Sequence, residues 1–346
     1  MTLSLFRGAT LSTALILLSL TTALAAPPGV TPPEVPVAHS LASFREAVRS
    51  GGPGKDGIPS IDRPRFLSAT EANLDEQDKV IGVYHRGQAR AYPQRILVWH
   101  EIVNDRVGGE ALGITYCPLT GTALGFKRGD TQLGVSGKLV NSNLVMYDRA
   151  TDSEWPQILA VAIDGPLIGQ GLEELRVFWT TWGAWKARHP DTEVLSEQTG
   201  FVRNYRRDPY GSYNPLGGYY APDSRRLFPV LHRDDRFPPK TEVFGLRGPQ
   251  GAVAITQEAL CREGVVEVML GERRYTVIHD PGLDTGWAFH NARGIEIRPS
   301  TLDFTAEGVT GPGIASLEPV NGFEAMWIAW AAFYPETLLY RGREVP

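Results

Sequence analysis

Cys117 and His100 are the two residues of this sequence whose types and spacing could do chemistry together. Val107-Gly108-Gly109-Glu110 signals a two-residue hairpin turn, because paired glycines reach the positive φ that tight hairpins require. In a regular hairpin closed by that turn, Cys117 faces the position at which His100 leaves a preceding helix. Directly opposed Cβ atoms in a sheet lie about 5 Å apart, within reach of a thiolate–imidazolium pair or of two ligands on one metal. Glu101, Asn104 and Asp105 surround the same corner and could orient the imidazole or complete a coordination shell.

Three readings of Cys117 follow. The leading one is a metal site, in which the sulfur and imidazole donors of Cys117 and His100 suit copper or zinc. The second is a cysteine-dependent enzyme acting on acyl or carbonyl groups, with Cys117 as nucleophile, His100 as base and Glu101 orienting that base. The third is a non-enzymatic binding or scaffold module of the envelope, with Cys117 inert or bonded to Cys261, the only other cysteine. A second polar cluster runs from Ser136 to Arg149. Lys138, Asn141, Asn143 and Arg149 could hold an anionic or carbonyl-bearing small molecule, with Asp148 pairing Arg149; the plainer alternative is a hairpin with a solvated face. His279 and His290 join a site only if two halves of the chain face each other.

These residues need elements to hold them, and the chain supplies a repeated set. Asp78 to Val83 reads against Thr241 to Leu246, and Pro118 and Phe126 fall against Pro281 and Phe289 in the same register. Trp182 and Trp185 leading to Pro190-Asp191-Thr192 recur as Trp327 and Trp330 leading to Pro335-Glu336-Thr337, with the second copy shorter by roughly eighteen residues between the anchors. The expected order in each copy is strand, short helix, hairpin and a later Trp-bearing helix. Pro93 opens the first short helix, and Thr256 to Arg262 forms its counterpart. The four tryptophans are expected to pack helices onto the sheets. The fold class is therefore a strand-rich α+β protein of two tandem related domains, with short helices on antiparallel sheets.

Met1 to Ala25 has the form of a secretory leader: Arg7, an apolar run around Leu15 to Leu18, and Ala23-Leu24-Ala25 as the cleavage site. The run is short of the roughly twenty residues that span a bilayer, so no transmembrane segment is expected in the mature chain, which should be periplasmic or secreted. The organisation expected is a signal peptide at 1–25, an extended segment at 26–67, copy one at 68–220, a linker at 221–238 and copy two at 239–346. Ala26 to Pro36 reads as a tether and Tyr205 to Tyr220 as a long surface connection. The net charge is −5 with the basic residues scattered, which argues against a nucleic-acid partner and leaves a small molecule or metal ion.

Several stretches in order carry a family likeness: Asp56 to Pro59, Arg90 to Pro93, Trp99 to Asp105, Thr115 to Leu119, Ser136 to Leu139 and Leu144 to Arg149. In these the chain resembles a bacterial and archaeal family called domain of unknown function 3179, and the second half resembles a diverged domain of the same kind. Family members often carry Cys-Pro-Leu-Cys where this chain has Cys117-Pro118-Leu119-Thr120, so a dithiol motif is absent here. The resemblance implies no activity.

Overall fold

Gly108 and Gly109 adopt positive φ, 54° and 79°, and close the expected hairpin. Ile102–Val107 pairs antiparallel with Glu110–Cys117, from Val107 opposite Glu110 to Ile102 opposite Thr115. The structure, a computed structural model, describes residues 25–30 and 35–342. The leader expected at 1–25 lies outside the described residues apart from Ala25. Pro93 ends the strand Gln88–Pro93 and caps the helix Gln94–His100, which buries Ile96, Leu97, Val98 and His100. Thr256 caps the helix Gln257–Glu263, its hydroxyl accepting the Ala259 N–H at 3.2 Å.

The first half builds one sheet from Phe178–Thr181, Lys79–His85, Gln88–Pro93, Glu193–Leu195 and Phe66–Ser68, and a second from Glu174–Leu175, Thr122–Lys127, Glu110–Cys117 and Ile102–Val107. The other half orders Gly322–Met326, Glu242–Gly248, Gly251–Thr256 and Leu338–Tyr340 in one sheet, and Val265–Leu270, Arg273–Asp280, Thr285–His290 and Glu318–Val320 in another. In both halves a Trp-bearing helix, Trp182–Arg188 or Trp327–Phe333, precedes a strand that joins its sheet in parallel. All other pairings between these strands are antiparallel, and the class is α+β with short helices on the sheets. The first half also carries the hairpin Leu133–Val140 and Asn143–Asp148, flanked by Glu154–Pro156 and Arg49–Ser50.

Trp182, Trp185, Trp327 and Trp330 are all buried. Trp185 Nε1 donates to Thr192 Oγ1 and Trp330 Nε1 to Thr337 Oγ1, each at 3.0 Å, so the helix, the turn after it and the sheet are fastened alike in both halves. Each indole lies on a glycine: a Cβ at Gly82 would overlap the Trp185 ring, and one at Gly245 the Trp330 ring. Gly82→Ala and Gly245→Ala should each destabilise the protein by about 3 kcal/mol, because a close-packed ring has nowhere to retreat. A urea titration reads this as a lowered midpoint at unchanged slope; an unmoved midpoint would show that the indole can shift.

Two segments depart from the expected loose connections. Of the Ala26–Pro36 tether, Gly29–Val30 pairs with Gly171–Leu172 and Pro27 is buried, so this part is docked against the first half. The Tyr205–Tyr220 connection turns its rings inward: Tyr205 and Tyr220 are buried, while Tyr210 and Tyr219 pack on the core that contains Cys117. Rings of that size are drawn from water wherever an apolar face is open.

Candidate functional site

Cys117 is the last residue of its strand, and the turn Pro118 to Gly121 carries the chain away, with the Thr120 N–H donating to Cys117 O at 3.2 Å. Across from it, the hairpin Leu133–Val140/Asn143–Asp148 turns through Asn141 and Ser142, both at positive φ. That turn closes over the sulfur: Sγ accepts the Leu144 N–H at 3.4 Å and stands 3.9 Å from Ser142 O. The thiol is free and only 1% exposed. Cys261 is also free and lies exposed on the helix Gln257–Glu263, so the disulfide alternative is not realised.

His100 and Cys117 are not hydrogen-bonded to each other. His100 still belongs to its helix, and its ring bonds elsewhere: Nδ1 lies 2.8 Å from Pro59 O and Nε2 2.7 Å from the Tyr205 hydroxyl. Burial holds its pKa below the usual histidine value, and nearby Arg203 adds to this. A neutral ring that donates from Nδ1 and accepts at Nε2 satisfies both contacts. Tyr205 in turn bonds Thr199 at 2.6 Å, so His100 fastens the connecting segment.

Glu101, the residue after His100, interacts electrostatically with the Cys117 sulfur. It caps the helix in a left-handed conformation, φ +58°, where glycine is the usual choice, and Gly264 fills the corresponding cap of the helix Gln257–Glu263. Its carbonyl accepts the Tyr116 N–H at 2.7 Å, which sets it beside Cys117. The side chain is 7% exposed, no hydrogen bond among the described residues offsets its burial, and burial pushes its pKa up to about 8. Burial likewise pushes Cys117 up to about 11, with the Glu101 charge as the next cause.

The third ionisable group is Lys240, which precedes the strand Glu242–Gly248 and which sequence reading passed over. It is 4% exposed, and its Nζ has no hydrogen-bond partner. The nitrogen lies 3.2 Å from the centre of the Tyr219 ring, whose hydroxyl donates to Leu119 O at 3.0 Å, two residues beyond Cys117. Burial pulls Lys240 down to about 7, and Cys117 is the leading electrostatic influence that opposes this fall. Tyr210 and Tyr219 roof the cluster, and both feel the charge of Cys117.

The Ser136–Arg149 residues make internal bonds. Asp148 does not pair with Arg149: it accepts the Ala150 and Thr151 N–H groups, the Thr151 hydroxyl and Trp155 Nε1, because its own turn brings those donors nearest. Arg149 reaches Asp56 instead, at 2.9 and 3.1 Å, together with Tyr147 and Ser60. Lys138 forms an ion pair with Glu154. Asn141 donates to Ala332 O and accepts the Leu231 N–H, while Asn143 bonds Thr120, Gln157 and the Ile158 N–H. His279 lies 3.2 Å from Asp284, and His290 3.2 Å from Glu318.

Among the described residues no three His, Cys, Asp or Glu side chains converge. For copper or zinc, Cys117 and Glu101 make two donors, His100 has both nitrogens engaged, and Lys240 adds positive charge. That set does not fit a closed metal shell. Among the described residues no helix is long and apolar enough to cross a membrane. Comparison with curated proteins and with solved structures finds no match. The sequence model of one family, described as protein of unknown function (DUF3179), matches residues 55–337, which is most of the chain, and the protein belongs to that family.

Proposed function

We propose that this protein is a cysteine-dependent enzyme acting on acyl or carbonyl groups, with Cys117 as nucleophile, Lys240 as its proton acceptor and Glu101 as a neutral acid facing the developing oxyanion. One observation carries this reading: the buried Cys117 thiol interacts electrostatically with two further buried groups, Glu101 and Lys240, with no salt bridge or hydrogen bond joining either to it, and the Lys240 amine has no hydrogen-bond partner at all. A structural role would pair them, since an unpaired buried polar group costs free energy. The reading replaces His100 as base, because His100 is committed to Pro59 and Tyr205. It is favoured over copper or zinc by Lys240.

The protonation states suit the assignment. Near neutral pH the thiol and the Glu101 carboxyl keep their protons, and a good share of Lys240 is free amine. The amine takes the thiol proton, and the sulfur attacks the carbonyl carbon. The C–S bond forms as the carbonyl electron pair moves to oxygen, where the Glu101 O–H donates a hydrogen bond. Collapse re-forms the C=O, and the leaving group departs with the Lys240 proton. Water then cleaves the thioester by the same route. Tyr210 and Tyr219 roof the thiol, so substrate entry requires that segment to shift.

The same reading takes the chain as exported, its first 25 residues removed as a leader, and as a tandem duplication. The recurring element order and the two Trp–Thr–Gly fastenings support the duplication. Only the first half keeps the cysteine: Arg273–Asp280 ends on Asp280 before Pro281, and Asp280 is bonded by Arg188.

The test is acylation by p-nitrophenyl esters of increasing chain length, read by intact mass. An adduct on Cys117 is expected, absent from Cys117→Ala, with a rate that rises through pH 7 as Lys240 loses its proton and falls above pH 8 as Glu101 does. A rate that climbs steadily towards pH 11, as an unassisted thiol gives, would overturn the assignment.

A further inference from the structure

The segment 201–240 differs from the rest of the chain in what it shows to solvent. Phe201, Val202, Leu216, Leu227 and Leu231 lie within it, so it holds five of the nine exposed large hydrophobics among the described residues; Val202 is 96% and Leu227 58% exposed. Leaving aside the buried Lys240, the same segment has seven Arg against four Asp, a net of +3 in a chain whose total is −5. Arg203, Arg206, Arg207, Arg225 and Arg233 are exposed, and none of them has an ion pair among the described residues; the one pair formed by an arginine of the segment is Arg236 with Asp234. Its inner face is anchored. Tyr205 bonds His100, Tyr219 bonds Leu119 O, and Ser142 donates to Phe228 O at 3.0 Å, which holds the apolar and cationic side chains outward.

We propose that the outward face of residues 201–240 docks on the surface of an anionic lipid bilayer. Unpaired arginines next to exposed aliphatic side chains match the two components of such a surface. The guanidinium groups meet the anionic headgroups, and Val202, Leu227 and Leu231 enter the boundary with the acyl chains, while the Phe201 ring stays against His100. A soluble polyanion would satisfy the arginines and leave the apolar side chains in water, which is why a bilayer is the better match. Binding would be peripheral and reversible. The inference does not depend on the chemistry assigned to Cys117.

Sedimentation with vesicles tests it, using the processed chain with its N-terminus verified by mass. Vesicles of phosphatidylcholine and phosphatidylglycerol in roughly 2:1 ratio should bind at least about tenfold more protein than phosphatidylcholine alone at low salt, and added salt should weaken the binding. Arg225→Glu with Arg233→Glu, and separately Val202→Ser with Leu227→Ser and Leu231→Ser, should each lower binding about tenfold, circular dichroism confirming the fold. Equal binding to both vesicle types overturns the proposal, as do variants that bind like the original. If the serine variant binds normally while heparin competes, the partner is a soluble polyanion and the bilayer reading fails.

Discussion

Glu101→Gln is expected to change how stability depends on pH by on the order of 4 kcal/mol between pH 5 and pH 8. The Glu101 carboxyl has an ordinary pKa of 4.5 when exposed and about 8 in the folded protein. The folded state therefore holds a proton that the unfolded state releases. Stability is fully present below pH 4.5, falls as the pH rises towards 8, and is flat above. Glutamine keeps the shape and has no proton to lose, so this slope disappears. Glu242 is also buried, with its pKa pushed up to about 7, but it is common to both proteins and cancels in the comparison. Urea unfolding at pH 5 and pH 8 provides the measurement. Equal losses in the two proteins would mean that Glu101 finds a partner or water when it ionises. Lys240 acts in the opposite direction. Its folded pKa, about 7, lies below its ordinary 10.5, so its contribution is lost as the pH falls towards 7. Together the two groups place a dip in stability near neutral pH, where most proteins are most stable.

The left-handed cap at Glu101 adds a second cost of the same kind. A non-glycine residue at φ +58° carries about 1 kcal/mol of backbone strain. Gly264 fills the matching place in the other half without it. Strain, burial and an unpaired carboxyl at one position, beside a buried free thiol, are hard to explain as packing, and they are the kind of cost that functional sites retain.

The sequence carried the local structure well because local structure rests on local rules. Gly108-Gly109 dictates a tight turn, and the register from Val107 opposite Glu110 follows from it. Pro93 and Thr256 mark helix starts, and the recurring tryptophans mark the core. The site was harder to read. Hairpin register places His100 opposite Cys117, but His100 is still the last helical residue, which aims the imidazole at Pro59 and leaves Glu101 to take the sharp bend. The Lys138–Arg149 stretch looked like a ligand wall because its polar density is high. Some of its partners, Asp56 for Arg149 and Ala332 O for Asn141, lie about a hundred residues or more away in the chain and leave no trace in the local pattern, while Lys138, Asn143 and Asp148 are satisfied by nearer residues whose pairing only the hairpin fold reveals. Lys240 gave no signal at all, since a single lysine after two prolines reads only as the start of the second copy. Only the fold, by laying Pro222 O on its backbone N–H and Tyr219 beneath its amine, shows that it is buried beside the thiol.

Lys240→Met should lower the rate of Cys117 acylation by about 10² to 10⁴ at pH 7.5, the range a positioned base contributes. Methionine fills a similar volume and tolerates an apolar pocket, so the fold should survive, and the variant should be more stable at acid pH because no buried ammonium remains. A structural lysine would show the stability change alone. The proposed role adds a second signature: in the variant, the rate should lose its rise near pH 7 and instead follow the thiol, which ionises only at about 11. Lys240→Arg discriminates further. Arginine keeps a positive charge near the sulfur and would stabilise a thiolate, but it stays protonated and cannot accept the proton. If Lys240→Arg acylates as fast as the original protein, the lysine works as a fixed charge and the proton leaves by another route; if it is as slow as Lys240→Met, proton transfer to the amine is what the buried position of Lys240 provides.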